Sequence, residues 1–319
     1  MKLKPSRPSW IAWYCRVGSV ITLTGILVAL ALMLLQTVPL LRHSGLNFLT
    51  GTEWYYRDAV FGALPMIYGT VVVSAVALSI AAPLGLGAAI FISEYLPTRI
   101  RLPMKSGIEL LAGIPSVIYG LIGVLFLRKW VYNGLSPLDP VSGDSLLTAG
   151  LLLAVMILPT VATLSDDALQ SVPDTQRSAA RGLGLTRAET VLHVALPQAI
   201  PGLVAAGLLG LGRALGETVA VFLVVGRQDN QLPGNPFSLS AWLSPGQTLT
   251  SKIGGPETHI AYGDPLHWSA ISGLAVVLFM LVVFCLIGAR VIEHGMQSRQ
   301  QKSPVNPLDD RTVQPGGTR

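Results

Sequence analysis

This sequence is poor in charge. Only 12% of its 319 residues are Asp, Glu, Lys or Arg, while 51% are hydrophobic and the mean hydropathy is +0.57. Soluble globular domains carry about a quarter charged residues, so this balance excludes that class and indicates a membrane protein. Cysteine is also scarce: Cys15 and Cys285 both lie at or inside apolar runs, and no disulfide framework is expected. Three catalytic motifs are missing: G-x-x-x-x-G-K-[ST], H-E-x-x-H and G-x-S-x-G. The chain therefore has no P-loop for ATP and no protease or lipase signature of those kinds. Energy from ATP has to enter through another polypeptide. His43 and His193 sit in loops without a ligand cluster, so neither a metal site nor a cofactor is expected. The net charge of +5 is spread over loops and tails, which speaks against nucleic acid as a partner.

What the chain does have is apolar length. Six stretches approach or exceed the roughly 20 residues that cross a hydrocarbon core. They are Val17–Leu41, Pro65–Ile92, Ile108–Leu127, Leu146–Leu164, Pro201–Val225 and Trp268–Ala289. None alternates with period two, which disfavours a barrel and predicts an all-α polytopic membrane protein with six transmembrane helices. Pro83, Pro115 and Pro159 fall inside spans, where each is expected to kink a helix without abolishing it. The first run is too long for a signal peptide and reads as a retained span. With the N-terminus cytoplasmic, fifteen Lys and Arg residues fall on that side and six on the other. The positive-inside rule then places both termini, and the loop around Gln176, in the cytoplasm. The connection from Gln228 to His267, rich in Gly, Pro, Ser and Thr, reads either as a contact for an extracytoplasmic partner or as a solvated linker. The predicted layout is a cytoplasmic N-terminus at 1–16, a first span at 17–41, a transmembrane domain at 60–292 that includes a cytoplasmic loop at 166–197, and a disordered cytoplasmic tail at 293–319.

Two segments carry candidate mechanism. In the cytoplasmic loop, Pro173 and Asp174 suit the start of a helix, Gly184 its end, and Thr186 with Glu189 a capping box for a second helix. That second helix is expected to end at Leu196-Pro197. Ser178, Ala179 and Ala180 are small enough to let a partner's surface approach closely. In the fifth span, Arg213 and Glu217 are four residues apart, which on a continuous helix puts them on one face about 6 Å apart along the axis. Charge at that depth costs at least about 2.5–3.5 kcal/mol when unpaired. Either the two form a structural ion pair, or Arg213 presents its charge to a transiting anion while Glu217 holds it in place; intramembrane ionisable residues favour the second reading. Gly212 and Gly216 stand in a G-x-x-x-G relation that permits close helix approach. Glu94 reads as a solvated boundary charge, Glu109 as an interfacial residue or a second partner of Arg213, and Tyr119 as core packing in preference to a lining of the path.

The loop resembles the cytoplasmic E-A-A, three residues, Gly, nine residues, Ile-x-Leu-Pro pattern of type I ABC import permeases. It reads Ser178-Ala179-Ala180, Gly184, Val194, Leu196 and Pro197 at the same spacings, with Ser in place of Glu and Val in place of Ile. The runs Phe61–Thr70, Pro83–Tyr95, Ile108–Gly120 and Gly212–Thr218 are similar to the phosphate-specific (Pst) permeases, and to the C-type more than the A-type subunit. The resemblance implies a type I importer permease fold with a cytoplasmic coupling helix, in the inner membrane of a bacterium or archaeon. It also implies an A-type permease, a dimer of an ATP-binding subunit and an extracytoplasmic phosphate-binding protein as partners. In that family the residues matching Arg213 and Glu217 are implicated in transport, and the coupling residues map onto Ser178, Ala179, Ala180, Gly184, Leu196 and Pro197. An importer of another oxyanion, or a secondary transporter working alone, stays open as an alternative.

Overall fold

The computed structural model describes residues 10–138, 140–230 and 232–301 of the chain. Lys2, Lys4 and Arg7 and the tail beyond Gln301 lie outside them. Among the described residues, five helices are long and apolar enough to cross a membrane, and a bent pair makes a sixth if it counts as one span. The only paired strands among the described residues form a short hairpin, Trp54–Tyr55 with Val60–Phe61.

The centre of the bundle is the helix Leu146–Gln170, two-thirds of whose apolar window is buried inside the chain. It packs against the helix Leu64–Ile90, extended by a π-helical turn at Phe91–Tyr95, and against the helix Leu196–Gly216. Lipid is as apolar as leucine, so these contacts depend on shape more than on hydrophobicity. Val161 shows how the fit is made. A Cβ at Gly85 would lie 2.9 Å from its Cγ1, and a Cβ at Gly210 would lie 2.7 Å from its Cγ2. One branched side chain is thus gripped by glycine notches on the two flanking helices. Gly202 repeats the device, its missing Cβ leaving room for the Ala168 methyl at 2.6 Å. The G-x-x-x-G pair read from the sequence, Gly212 and Gly216, does not pack against another helix of this chain. A Cβ added at either would meet nothing within 4 Å, because the inward face runs through Gly202 and Gly210.

The first helix, Trp10–Ser44, touches the rest mainly at its C-terminal end, against the last helix Pro265–Gln301. Pro39 interrupts its hydrogen-bond ladder, and the Leu40 N–H donates to Ser269 Oγ at 2.9 Å. Gln36 Oε1 accepts from Trp268 Nε1 at 3.1 Å, so polar contacts join two otherwise apolar helices. The last helix continues to Gln301, past residue 293 where composition predicts a disordered tail. Adding residues to a nucleated helix costs little, so polar composition alone does not end it.

The third span departs most from expectation. Instead of a kinked Ile108–Leu127, the chain forms Thr98–Ala112, breaks over three residues, and restarts at Ser116, with an 83° bend between the halves. Pro115 lacks an N–H and disfavours helical geometry at the preceding residue, and Gly113 lies beside it. The second half runs through a π-helical turn, Gly123–Leu127, into Arg128–Gly134.

The Gln228–His267 connection is no solvated linker. It folds into short helices at Leu239–Trp242, Leu249–Ile253 and Glu257–Ala261, with Thr248, Thr250, Ser251 and Lys252 buried. Lys252, 2% exposed, pairs with Asp229 at 2.6 Å and with Glu257, and lies 4.8 Å over the Trp54 ring. Burial pushes the Asp229 carboxyl up despite the Lys252 ammonium. Burial pushes Glu257 up as well, but its bonds to Lys252, Trp54 and His267 outweigh that and hold it below the usual carboxylate range.

The notch at Gly210 leads to a paired test. Gly210→Val overpacks against Val161 and is expected to destabilise the chain by about 1–3 kcal/mol. Gly207→Val, where a Cβ meets nothing of this chain within 4 Å, is expected to leave its stability within about 0.5 kcal/mol of the parent. Unfolding of the purified subunit in mixed micelles checks both.

Candidate functional site

Two helix interruptions converge on Arg213. The first is the Gly113–Pro115 break described above. The second follows Gly216, where Glu217 turns extended (φ −73, ψ 124) before a new helix begins at Val219–Val224. The one-face relation of Arg213 and Glu217 is therefore lost, and among the described residues no ion pair joins them. The pairing expected on a continuous helix is replaced by something else. Arg213 Nη2 donates to the Ala112 carbonyl at 3.1 Å, and Nη1 donates to Thr160 Oγ1 at 3.1 Å. Ala112 is the last residue of its half-helix, so the guanidinium meets the negative end of a helix dipole. Glu217 does the converse. Its Oε1 accepts the Ala220 N–H at 3.3 Å at the start of Val219–Val224, and its own carbonyl accepts from Thr250 Oγ1 at 2.8 Å. Each charge is thus matched by a helix end of opposite sign. Both side chains are half-buried.

Tyr119 is buried in the main core, and its hydroxyl donates to the Leu111 carbonyl at 2.9 Å, which braces the two halves of the broken span. Glu109 is exposed on Thr98–Ala112.

The second candidate site lies at the end of the bundle that carries the helix Asp174–Gly182. Pro173 precedes this helix and Asp174 occupies its first turn. The helix closes with Gly184 in the left-handed region (φ 88), where the Gly184 N–H bonds Arg181 O at 2.9 Å and the Leu185 N–H bonds Ala180 O at 3.2 Å. That pair of bonds is the Schellman ending that glycine permits. Thr186 and Glu189 then form a reciprocal capping box, with Thr186 N–H to Glu189 Oε2 at 2.8 Å and Glu189 N–H to Thr186 Oγ1 at 3.3 Å.

The helix begun at Arg187 does not stop at Leu196-Pro197. It passes through a π-helical turn, Val191–Ala195, straight into Leu196–Gly216. Proline removes one ladder donor and crowds the preceding turn, and the wider turn accommodates it without ending the helix. Leu196 and Pro197 are half-buried, and Leu196 packs on a small core of Ala89, Leu169, Val172 and Ala199. Ser178, Ala179 and Gly184 are exposed, whereas Ala180 is buried at 7% exposure. Ala180 therefore faces this chain's own bundle and is not part of an outward surface. Leu183, 83% exposed, stands at the tip of the turn.

Two further candidates emerge only from the fold. Glu94, expected as a solvated charge, is 4% exposed and ion-paired with Arg177, which the sequence marks only as a cytoplasmic cation. Asp166, 1% exposed, receives Arg101 Nη2 at 3.0 Å and Lys105 Nζ at 3.3 Å, and joins the third span to the fourth. A carboxylate inside an apolar run was the available signal for Glu94, and two adjacent acids at a span end were the signal for Asp166 and Asp167.

Known proteins share this architecture. The family described as "Binding-protein-dependent transport system inner membrane component" matches residues 81–294. The "Phosphate transport system permease protein PstC" of Mesorhizobium japonicum is 36% identical over 272 residues, covering 80% of each chain. The "Phosphate transport system permease protein PstC 1" of Mycobacterium tuberculosis is 34% identical over 325 aligned positions, covering 92% of this chain and 94% of its own. Among solved structures, a chain of the bacterial alginate ABC transporter, crystallised in complex with an alginate pentasaccharide-bound periplasmic protein, superposes with a TM-score of 0.59 at 16% identity. That match covers 88% of this chain and 95% of the other and reflects the fold alone. The chain belongs to the binding-protein-dependent transport inner-membrane components, within their PstC-type permeases.

Proposed function

We infer that this chain is the C-type permease subunit of an ATP-driven phosphate importer. It takes phosphate from an extracytoplasmic binding protein, pairs with an A-type permease and is driven by a dimeric ATP-binding subunit. Both termini and the Asp174–Gly182 helix face the cytoplasm, a placement supported by the fifteen-to-six bias of Lys and Arg. The observation that carries the reading is Arg213. It is a permanent cation inside a span, held by a carbonyl and a hydroxyl, with no carboxylate paired to it among the described residues. A guanidinium held by neutral acceptors keeps its full charge for a passing anion, and its planar fork suits phosphate oxygens. Broken helices flanking a half-buried charge are a recurrent way to build a substrate site in a membrane.

The energetics fit an ATP-coupled device. Moving a phosphate dianion inward against an inside-negative potential costs about 4.6 kcal/mol per 100 mV, twice the single-charge value. A passive anion pore would run outward. Coupling enters at the Asp174–Gly182 helix, whose outward face offers Ser178, Ala179 and the tip Leu183 to the ATPase. Movement there reaches Arg213 along the helix that starts at Arg187, a path of roughly 24 Å from Pro197. Ser178 stands where the family pattern has Glu, and it faces outward, so its effect falls on docking and not on this chain's own packing.

Two experiments test this. Arg213→Gln is expected to assemble normally and to lower phosphate uptake in reconstituted vesicles by at least roughly tenfold to a hundredfold, the scale of hydrogen bonds to a charged group. Arg213→Lys, which keeps the charge but loses the fork, is expected to fall between the two; uptake equal to the parent in Arg213→Gln removes the substrate-path role. In a background with Cys15 and Cys285 replaced by Ser, a single cysteine at Ser178 or Ala179 is expected to form a disulfide, under mild oxidation, with a cysteine introduced into the docking surface of the ATPase. One at the buried Ala180 is not, and the reverse pattern would place docking elsewhere.

A further inference from the structure

Along the chain, the Asp174–Gly182 helix is joined to the central helix through residues 171–173 and to the Arg213 helix through the continuous run Arg187–Gly216. A further connection runs through space. Arg177 points inward from the first turns of Asp174–Gly182, and its guanidinium is enclosed on every side. Nη1 pairs with Glu94, Nη2 donates to the Leu169 carbonyl at 2.6 Å, and Nε donates to the Val172 carbonyl at 3.4 Å. Glu94 lies in the π-helical turn that ends the Leu64–Tyr95 span, and Leu169 lies at the end of the central helix. One side chain therefore ties the connecting helix to the Leu64–Tyr95 span, which neither chain link reaches, and back onto the end of the central helix.

We propose that the Arg177–Glu94 ion pair is a positioning element for coupling, carrying displacement of the Asp174–Gly182 helix directly into the Leu64–Tyr95 span. The proposal rests on the reading of the chain as an ATP-driven permease. Three features support it. The helix has two faces, with Ser178 and Ala179 exposed and Arg177 and Ala180 buried, so a push on the outer face is delivered to the inner one. The planar fork fixes three acceptors at once, so the helix cannot slide past the spans without moving them or breaking a buried pair. The neighbouring ties are looser. Arg101 and Lys105, which hold Asp166, are 26% and 21% exposed, whereas Arg177 and Glu94 are 8% and 4% exposed. Exposed pairs are weakened by water and salt, and an enclosed one is not.

The test uses the complete transporter, reconstituted in vesicles with its second permease, ATPase and binding protein, and reads ATP hydrolysed per phosphate imported. Glu94→Gln keeps the shape of the side chain and removes its charge. The double variant Glu94→Leu with Arg177→Met replaces the pair by apolar side chains of similar size, a change that buried pairs commonly tolerate. Both are expected to raise the ATP-to-phosphate ratio about two- to thirtyfold, the range of coupling changes seen for residues that touch neither ligand. Exchange of the two residues, Glu94→Arg with Arg177→Glu, is expected to restore part of the ratio. If the apolar pair fails to assemble, the ratio is read on Glu94→Gln. A wild-type complex that takes up no phosphate overturns the importer reading itself. Wild-type uptake together with an unchanged ratio in the assembled variants overturns only the ion-pair proposal.

Discussion

A charge inside a bilayer has to be solvated by the protein, and the way this chain solvates Arg213 sets the shape of much of its transmembrane region. Leaving an arginine unpaired at mid-span costs at least about 2.5–3.5 kcal/mol. A hydrogen bond to a charged group is worth about 1.5–3 kcal/mol, so two of them offset that cost without any counter-ion. The two acceptors come from different places: Thr160 on the central helix, and Ala112 at a helix end that exists only because the third span is broken. Without the interruption at Gly113–Pro115, the Ala112 carbonyl would be committed to the residue four further on. The bend is thus part of the electrostatics of the site. Glu217 follows the same logic with signs reversed, using the free N–H groups at the start of Val219–Val224.

The buried ion pairs of this chain lie toward the ends of the bundle, at Glu94, Asp166 and Lys252, so around Arg213 packing has to supply the rest. Val161 sits one residue beyond Thr160 on the central helix, and the notches at Gly85 and Gly210 close on it. The residue that orients Arg213 and the residue that locks three helices are therefore neighbours. Precision at the charge and precision in the packing come from the same turn of Leu146–Gln170.

Much of this was legible in the sequence, and the misses share a cause. Apolar run lengths located the spans, and the Pro173, Gly184 and Thr186–Glu189 signals located the helix, turn and helix of the loop, because each acts within a few residues. Long-range partners were not legible. The i,i+4 spacing of Arg213 and Glu217 suggested a pair, but that inference assumes an unbroken helix, and Gly216 sits at its end. Glycine content announced close packing without saying which glycines face inward, since Gly202, Gly207, Gly210 and Gly212 all lie in one helix. Composition made the Gln228–His267 connection look solvated, although Lys252 is enclosed there by Asp229, Glu257 and Trp54. Polar residues bury each other when they meet, and only the fold shows that they meet.

On the proposed coupling, force entering at Asp174–Gly182 meets, beyond its short link to the central helix, two structures of different compliance. Along the chain it passes a Gly184 turn and a π-helical turn at Val191–Ala195 before reaching the regular helix that bears Arg213. Across space it passes an enclosed ion pair into another π-helical turn, Phe91–Tyr95. Both routes place a widened turn between the connecting helix and the span. A regular helix resists bending because every residue is held by its ladder, whereas a π turn interrupts that ladder and is a place where helices bend. The spans can therefore keep their glycine-notched packing while the end that carries Asp174–Gly182 moves. What each route delivers differs accordingly. The chain route acts on the helix that carries the charge, and the spatial route acts on the helix that grips Val161 from the other side. A displacement shared between them would alter the spacing around Thr160 and Arg213, which is where the solvation of the charge is set.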